Sequence, residues 1–422
     1  MVFIPLTVQA QHNSSLNTFS PFTFYGLGEI LPVGTTATQS MGGIGVAYWS
    51  PNDVNLVNPA AYSQVPRQSG VLSFGASGKG IRLKTSEAKT FDNTFSFNHL
   101  GFMLPLGRGV GFAVSVTPFS SVGYNVQMEE TDPDIITDVG HVMYNYTGEG
   151  GISRVKVGVG AQLFKGFSVG ADLVTYLGTI SRYAYQTITP VSGQNYRAIA
   201  ESNKEEVADI SFNAGFQYNI WRTSRQILTI GATYQPEMEL NNKFKRQVYN
   251  LEATDSIYYT DYRQKVTLPQ KIAGGVYYQT PRLGVGVDYS FQDWTDTYRF
   301  AEEDRVTLKE MQTLNFGLQY TPNRTDIRRA MNRWTYRAGF RYTDLYIKKD
   351  GQAMSEMAVT FGVGIPLRQG SASELSVGLE VGQRGKTGFT PNGLPMVKEQ
   401  YFKISLGISL FDSNWFLKLK YY

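Results

Sequence analysis

The sequence predicts an all-β protein: a transmembrane antiparallel β-barrel of 14 strands with an N-terminal plug, or hatch, in its lumen. Three observations lead there. Segments of strict apolar/polar alternation recur through most of the 422 residues. The connections between them alternate short and long. No segment reaches the roughly 20 consecutive apolar residues that a membrane-crossing helix requires.

Composition supports one continuous domain. The chain holds 43 Gly, 27 Tyr and 25 Phe but no Cys, and only 18% of it is charged. Between residues 70 and 410 no linker, low-complexity run or charge block marks a domain boundary. The 39 basic and 35 acidic residues are interspersed and leave a net charge of +4, so neither nucleic acid nor a polybasic membrane patch is indicated. Without Cys there are no disulfides and no thiolate metal sites.

Residues 1–10 form a short apolar run ending Val8-Gln9-Ala10, which fits a signal-peptide remnant cleaved before Gln11, although the run lacks a basic start. Residues 11–67 do not alternate. They hold the Gly-rich stretch Gly42-Gly43-Ile44-Gly45 and then Asn58-Pro59-Ala60, and are expected to fold as a small plug inside the barrel.

The barrel is expected over residues 68–411. Spanning strands of a barrel alternate over about ten residues, apolar toward lipid and polar or small toward the lumen. Phe402, Ile404, Leu406, Ile408 and Leu410 alternate with Lys403, Ser405, Gly407 and Ser409. Met357 to Ile365 and Leu283 to Phe291 repeat the pattern. In chain order the strands are 71–77, 94–104, 109–118, 155–163, 167–177, 210–220, 227–235, 271–279, 283–291, 313–320, 334–343, 357–365, 375–383 and 401–410. Short turns at 106–108, 164–166, 219–225, 280–281, 322–333 and 366–371 are assigned to the periplasm. Long polar connections at 119–152, 178–208, 236–268, 293–311 and 384–400 are assigned outside. Trp221, Tyr234, Trp294, Tyr320 and Trp334 are placed in an aromatic girdle.

Strand parity returns 401–410 to the periplasm and makes residues 412–422 a periplasmic tail, since bacterial single-chain barrels hold an even strand count. Trp415, Phe416, Tyr421 and Tyr422 on that tail suit partner docking. The competing assignment makes the tail the last strand and puts 71–77 in the lumen.

The Gly42/Gly43/Gly45 stretch followed by Asn58-Pro59-Ala60, ahead of the first strand, resembles the hatch signature of the FadL-type family of outer-membrane transport proteins. That resemblance implies a fourteen-stranded barrel, a hatch, and a gap in the wall at an inward kink of the third strand through which hydrophobic substrate moves sideways. Here the third strand carries Gly109, Gly111 and Pro118. Glycine permits a bulge and proline removes a ladder hydrogen bond. Either Pro118 marks such a lateral gate or it ends the strand.

No catalytic, metal or cofactor constellation emerges. Gly166-Phe167-Ser168-Val169-Gly170 has the G-x-S-x-G spacing of a nucleophile elbow, but a strand follows it where that motif needs a helix. His12, His99 and His141 are scattered. Gly-x-Gly repeats such as Gly158-Val159-Gly160 fall on the lumen face of strands, leaving room for a plug. Acidic runs such as 129–134 and 302–304 read as solvated loops ahead of calcium sites. The basic turn 324–333, with Arg328, Arg329 and Arg333, is expected to form one helical turn that is solvated or meets a partner.

Two functions follow, both in the bacterial outer membrane in contact with its lipid. The leading one is passive uptake of a hydrophobic ligand such as a long-chain fatty acid through the plugged barrel and a lateral opening. The other is a non-transporting accessory or scaffold barrel in an outer-membrane protein assembly or secretion complex, with outer-membrane or periplasmic proteins as partners. The many Gly, Ser, Thr and charged lumen positions weigh against the first.

Overall fold

The computed structural model describes residues 18–85, 89–130, 132–191, 196, 198–250, 256–295, 297, 306–368, 372–389 and 395–413. The signal-peptide assignment and residues Trp415, Phe416, Tyr421 and Tyr422 lie outside the described residues.

Fourteen spanning strands form one closed antiparallel sheet. They are β1 (Gly70–Lys84), β2 (Lys89–Gly107), β3 (Val110–Glu129), β4 (Gly140–Phe164), β5 (Phe167–Pro190), β6 (Ile199–Arg222), β7 (Ile227–Gln235 and Met238–Asn250) and β8 (Ser256–Leu268 and Lys271–Gln279). Next come β9 (Leu283–Asp293), β10 (Val306–Leu308 and Glu310–Tyr320), β11 (Thr335–Lys349), β12 (Gln352–Pro366), β13 (Glu374–Phe389) and β14 (Pro395–Asp412). The breaks in β7 and β8 contain Pro236 and Pro269, which have no N–H to give to a ladder. Closure is direct: β14 pairs with β1 from Lys398↔Lys84 to Asp412↔Gly70. The strand 70–84 is therefore part of the wall, which overturns the alternative that placed it in the lumen.

The alternation sorts the two faces. Phe402, Ile404, Leu406, Ile408 and Leu410 are exposed on the outer face, while Ser405 is buried inside. No helix among the described residues is long and apolar enough to cross a membrane.

The strands run well past the expected spans. β4 has 25 residues and β5 has 24, about 80 Å of extended chain at ~3.3 Å per residue. The connections expected at 119–152, 178–208, 236–268 and 384–400 are thus mostly hairpin, paired for example as Glu129↔Met143 and Tyr185↔Ala200. Beyond the lipid both faces of a hairpin meet water, so the period-two signal fades although the ladder continues. What remains between β3 and β4 includes a short helix, Pro133–Asp138, capped by the Asp132 side chain. Trp294 also departs from expectation. It is 2% exposed and packs against Tyr346 inside the barrel, the rings tilted by 33° with centres 4.7 Å apart, not in an aromatic girdle.

A glycine band rings the inner face. Gly111, Gly160, Gly170 and Gly215 pair consecutively across β3 to β6. Gly231 pairs with Gly275, Gly286 with Gly317 and Gly317 with Gly339. Gly362 pairs with Gly378, and Gly407 with Gly75. With Gly101 on β2, every strand contributes one. A Cβ on most of them would strike residues 36–65, such as the Tyr62 carbonyl at Gly111, the Met41 carbonyl at Gly317 and the Gly42 amide at Gly339.

Candidate functional site

Residues 18–69 lie against this glycine band, tied to it by buried polar groups. Gly42 and Gly43 take φ of +69° and +88°, a left-handed turn open to glycine at little cost. That turn brings the Gly42 amide to Thr360 Oγ1 at 2.9 Å, and Asp288 Oδ2 accepts from the amides of Gly45 and Val46 at 2.6 and 2.8 Å. Asn55 braces the next loop, its Oδ1 accepting from the Val57 and Asn58 amides. Asn58 is fully buried. Its Oδ1 caps the 3-10 helix Pro59–Gln64 through the Ala60 amide, while its Nδ2 donates to the Val46 carbonyl at 2.7 Å and to the Phe216 carbonyl of β6 at 3.0 Å. Pro59 starts that helix, where its missing N–H leaves nothing unpaired, and its carbonyl faces Gly160. The structure therefore gathers Gly42, Gly43, Gly45, Asn58, Pro59 and Ala60 into one unit.

The third strand leaves a gap in the wall. β2 and β3 pair from Gly107↔Val110 to Leu100↔Val116 and no further, whereas β3 stays paired with β4 as far as Glu129. The register shifts between Pro118 and Ser120, and the bulged Phe119 is buried in the lumen. Pro118 therefore does not end the strand. It sits where the strand leaves its neighbour. Gly109 and Gly111 lie elsewhere: Gly109 makes the β2–β3 turn with φ +70° and Gly111 abuts Tyr62.

The freed edge of β3 is covered from inside. Leu31 donates to the Phe119 carbonyl at 2.9 Å, Ser20 donates to the Gly123 carbonyl at 2.7 Å, and the two-residue strand Glu29–Ile30 pairs with Ser120 and Ser121. Behind the gap lies a cavity of about 330 Å³. Ser96, Phe97 and Asn98 line one lip and Pro118, Ser120 and Ser121 the other, and its inner wall carries Lys79, Arg341, Glu356, Glu380 and Lys403.

These charges form a buried network that ties the N-terminal segment to the barrel. Glu29 accepts from Arg384 at 2.6 Å and lies 3.5 Å from Lys79. Arg384 also bonds Glu356 at 2.6 Å, and Glu356 accepts from Arg341 at 3.2 Å and from the Tyr401 hydroxyl. Lys79 and Lys403 engage Glu399 and Glu380, and Ser20 donates to Glu399. Burial by itself would raise the Glu29 carboxyl, but Arg384 and Lys79 outweigh it and hold it at about 2. At Asp53 burial prevails over a hydrogen bond from Thr35 and pushes the carboxyl up to about 6. Sequence reasoning missed these partners. Their trace was a run of charges at lumen parity, Arg341, Glu356, Glu380, Arg384, Glu399 and Lys403.

The other sequence candidates fall apart. Ser168 lies within β5 and bonds Ser63, so no elbow forms. His99 touches Ser73 and His141 lies beside Glu129. Residues 302–304 lie outside the described residues. The loop between β10 and β11 does contain the expected helical turn, Ala330–Arg333. Asp326 organises it by accepting from the Arg328 and Arg329 amides and from Asn332, and Ile327 and Met331 are exposed.

A family model described as BamG matches residues 1–422. No curated protein matches the chain. The fold is shared with solved outer-membrane barrels. The Pseudomonas putida toluene transporter TodX superposes with a TM-score of 0.58 at 14% identity, covering 90% of this chain and 98% of that one. A Pseudomonas aeruginosa FadL homologue gives 0.57 at 13% identity, covering 91% and 99%. The Ralstonia pickettii toluene transporter TbuX gives 0.54 at 14%, covering 90% and 98%.

Proposed function

The chain belongs to the BamG family, and from that premise we propose that it is a non-enzymatic outer-membrane barrel with a closed lumen, an accessory subunit of an outer-membrane protein assembly complex. The charged lining behind the wall gap carries this reading. An apolar cargo moving from lumen to lipid would pass Lys79, Arg341, Glu356 and Glu380 and would break ion pairs that no hydrocarbon replaces. The short turns and the C-terminus face the periplasm in this proposal, and the long hairpins face outward. The β10–β11 loop then offers a periplasmic docking face. It is pinned by Asp326, presents Ile327 and Met331 to solvent, and sits beside basic side chains of the kind enriched in interfaces.

Purification under mild detergent tests it. A stoichiometric outer-membrane protein partner, weakened by Ile327→Asp with Met331→Asp, supports the accessory role. An isolated monomer carrying native lipid sinks it.

A second reading, uptake of hydrophobic small molecules such as fatty acids, is favoured by one observation. Phe22, Tyr25, Ile30, Tyr346, Ile347 and Met396 line a mostly apolar cavity of about 130 Å³ toward the long hairpins. Accumulation of labelled laurate by cells that depends on this protein would support it.

A further inference from the structure

The accessory reading makes no use of a second chamber, which lies between the Gly42–Val46 turn and the segment Glu29–Val33. Its volume is about 130 Å³, room for several water molecules. Four cations line it: Arg341 of β11 is already held by Glu356 and Glu380, and the other three are Arg154 and Lys156 from β4 and Lys271 from β8.

Their partners do not balance them. Arg154 is 6% exposed; its Nε donates to Thr117 Oγ1 at 3.3 Å, its guanidinium meets the Tyr176 hydroxyl and lies 5.7 Å from the Phe119 ring centre, and its Nη2 is buried with no hydrogen-bond partner among the described residues. Lys156 donates to the Leu56 carbonyl at 2.9 Å and lies 3.7 Å from Asp172. The half-buried Lys271 side chain makes no ion pair or hydrogen bond among the described residues, although its backbone is laddered to Gln235 and Gln292. The carboxylates on the chamber wall are committed elsewhere. Asp288 holds the Gly45 and Val46 amides, Glu356 holds Arg341 and Arg384, and Glu29 holds Arg384 and Lys79.

Buried cations are costly unless paired, and an orphaned guanidinium nitrogen calls for an acceptor. From the orphaned Nη2 of Arg154 and the Lys271 ammonium, both facing one polar chamber, we propose that the lumen binds a small oxyanion of the phosphate or carboxylate class. Arg154 supplies the planar donor fork suited to such groups, and Lys271 supplies a point charge. Gln292 and Asn315 on the same wall each spend one amide N–H, on the Pro269 and Gly43 carbonyls, and keep the second for a remaining oxygen. A long hydrocarbon tail has no comparable match on that wall.

Calorimetric titration of the purified full-length chain, freed of phosphate, tests this with inorganic phosphate, citrate and laurate as separate probes. Saturable binding of phosphate or citrate, weakened about tenfold or more by Lys271→Gln and retained by Lys271→Arg, is expected. Which of the two binds tells phosphate from carboxylate. The Lys271 side chain has no partner to lose among the described residues, so Lys271→Gln is expected to keep the gel mobility of the folded barrel; Arg154→Gln serves as a second variant. No saturable binding by either anion, binding unchanged in Lys271→Gln, or binding of laurate alone overturns the proposal. Partner co-purification does not depend on this outcome, so the accessory role stands or falls separately.

Discussion

Glu29 on the N-terminal segment and Arg384 on β13 form an ion pair at 2.6 Å across 355 positions of sequence. The pair joins a strand of two residues, too short to hold itself in place, to a wall strand that is laddered on both sides, where Arg384 faces Glu356 and Glu399. Loss of Glu29 leaves Arg384 with one fewer carboxylate in a buried site, and losing one partner of such a pair costs about 3 to 5 kcal/mol. Glu29→Gln is therefore expected to release residues 18–31 from the β3 edge while the barrel persists. Hydrogen exchange at Leu31 and Ser20 reads this as faster exchange at those amides with the barrel strands unchanged.

The same pair sets an acid limit. Glu29 has a folded-state value near 2, below the usual 4.5, so its contribution is complete above about 4.5 and fades as pH falls toward 2. Protease sensitivity of the N-terminal segment is expected to rise over that window, and Glu29→Gln is expected to be equally sensitive throughout it.

Asp53 has the opposite sign. Its carboxyl is raised from 3.8 to about 6, so the folded state favours the protonated form and loses stability as pH rises through that interval. By linkage the loss is on the order of 3 kcal/mol once the group is ionised. Asp53→Asn is expected to raise the melting temperature at pH 7.5 and to leave it nearly unchanged at pH 4, as measured by thermal scans in detergent.

The glycine band predicts an opened lumen. A Cβ at Gly339 would overlap the Gly42 amide, which is backbone and has nowhere to retreat. Overpacking costs about 1 to 3 kcal/mol where side chains can shift, and Gly339→Val is expected to exceed that and expel the 40–45 turn. The sheet ladder loses nothing, so the variant still inserts. Planar-bilayer recording is expected to show channel openings in the variant and none in the native protein.

Asn58 combines a helix cap with a bond to the wall. Its replacement by Ala removes the bonds to the Ala60 amide and the Phe216 carbonyl, at about 1 to 2 kcal/mol. The expected result is a lower melting temperature with unchanged strand content by circular dichroism. A melting temperature equal to that of the native protein contradicts the role assigned to Asn58.

What the sequence determined by itself was the wall. Inside a membrane one face of each strand meets lipid and the other does not, so residues such as Phe402 to Leu410 announce strand, face and register through local alternation alone. Where both faces meet water that constraint lapses, and the hairpin extensions around Glu129 and Met143 looked like loops. The tertiary structure alone decided which lumen residues meet. Glu29 finds Arg384, Asn58 finds Phe216 and Gly42 finds Gly339 because closing fourteen strands brings together positions separated by hundreds of residues, and no local pattern records that distance. The residues at 42–45 and 58–60 were visible as a motif, but what they grip depends on the band of glycines opposite them, one from each strand, which exists only once the barrel is shut.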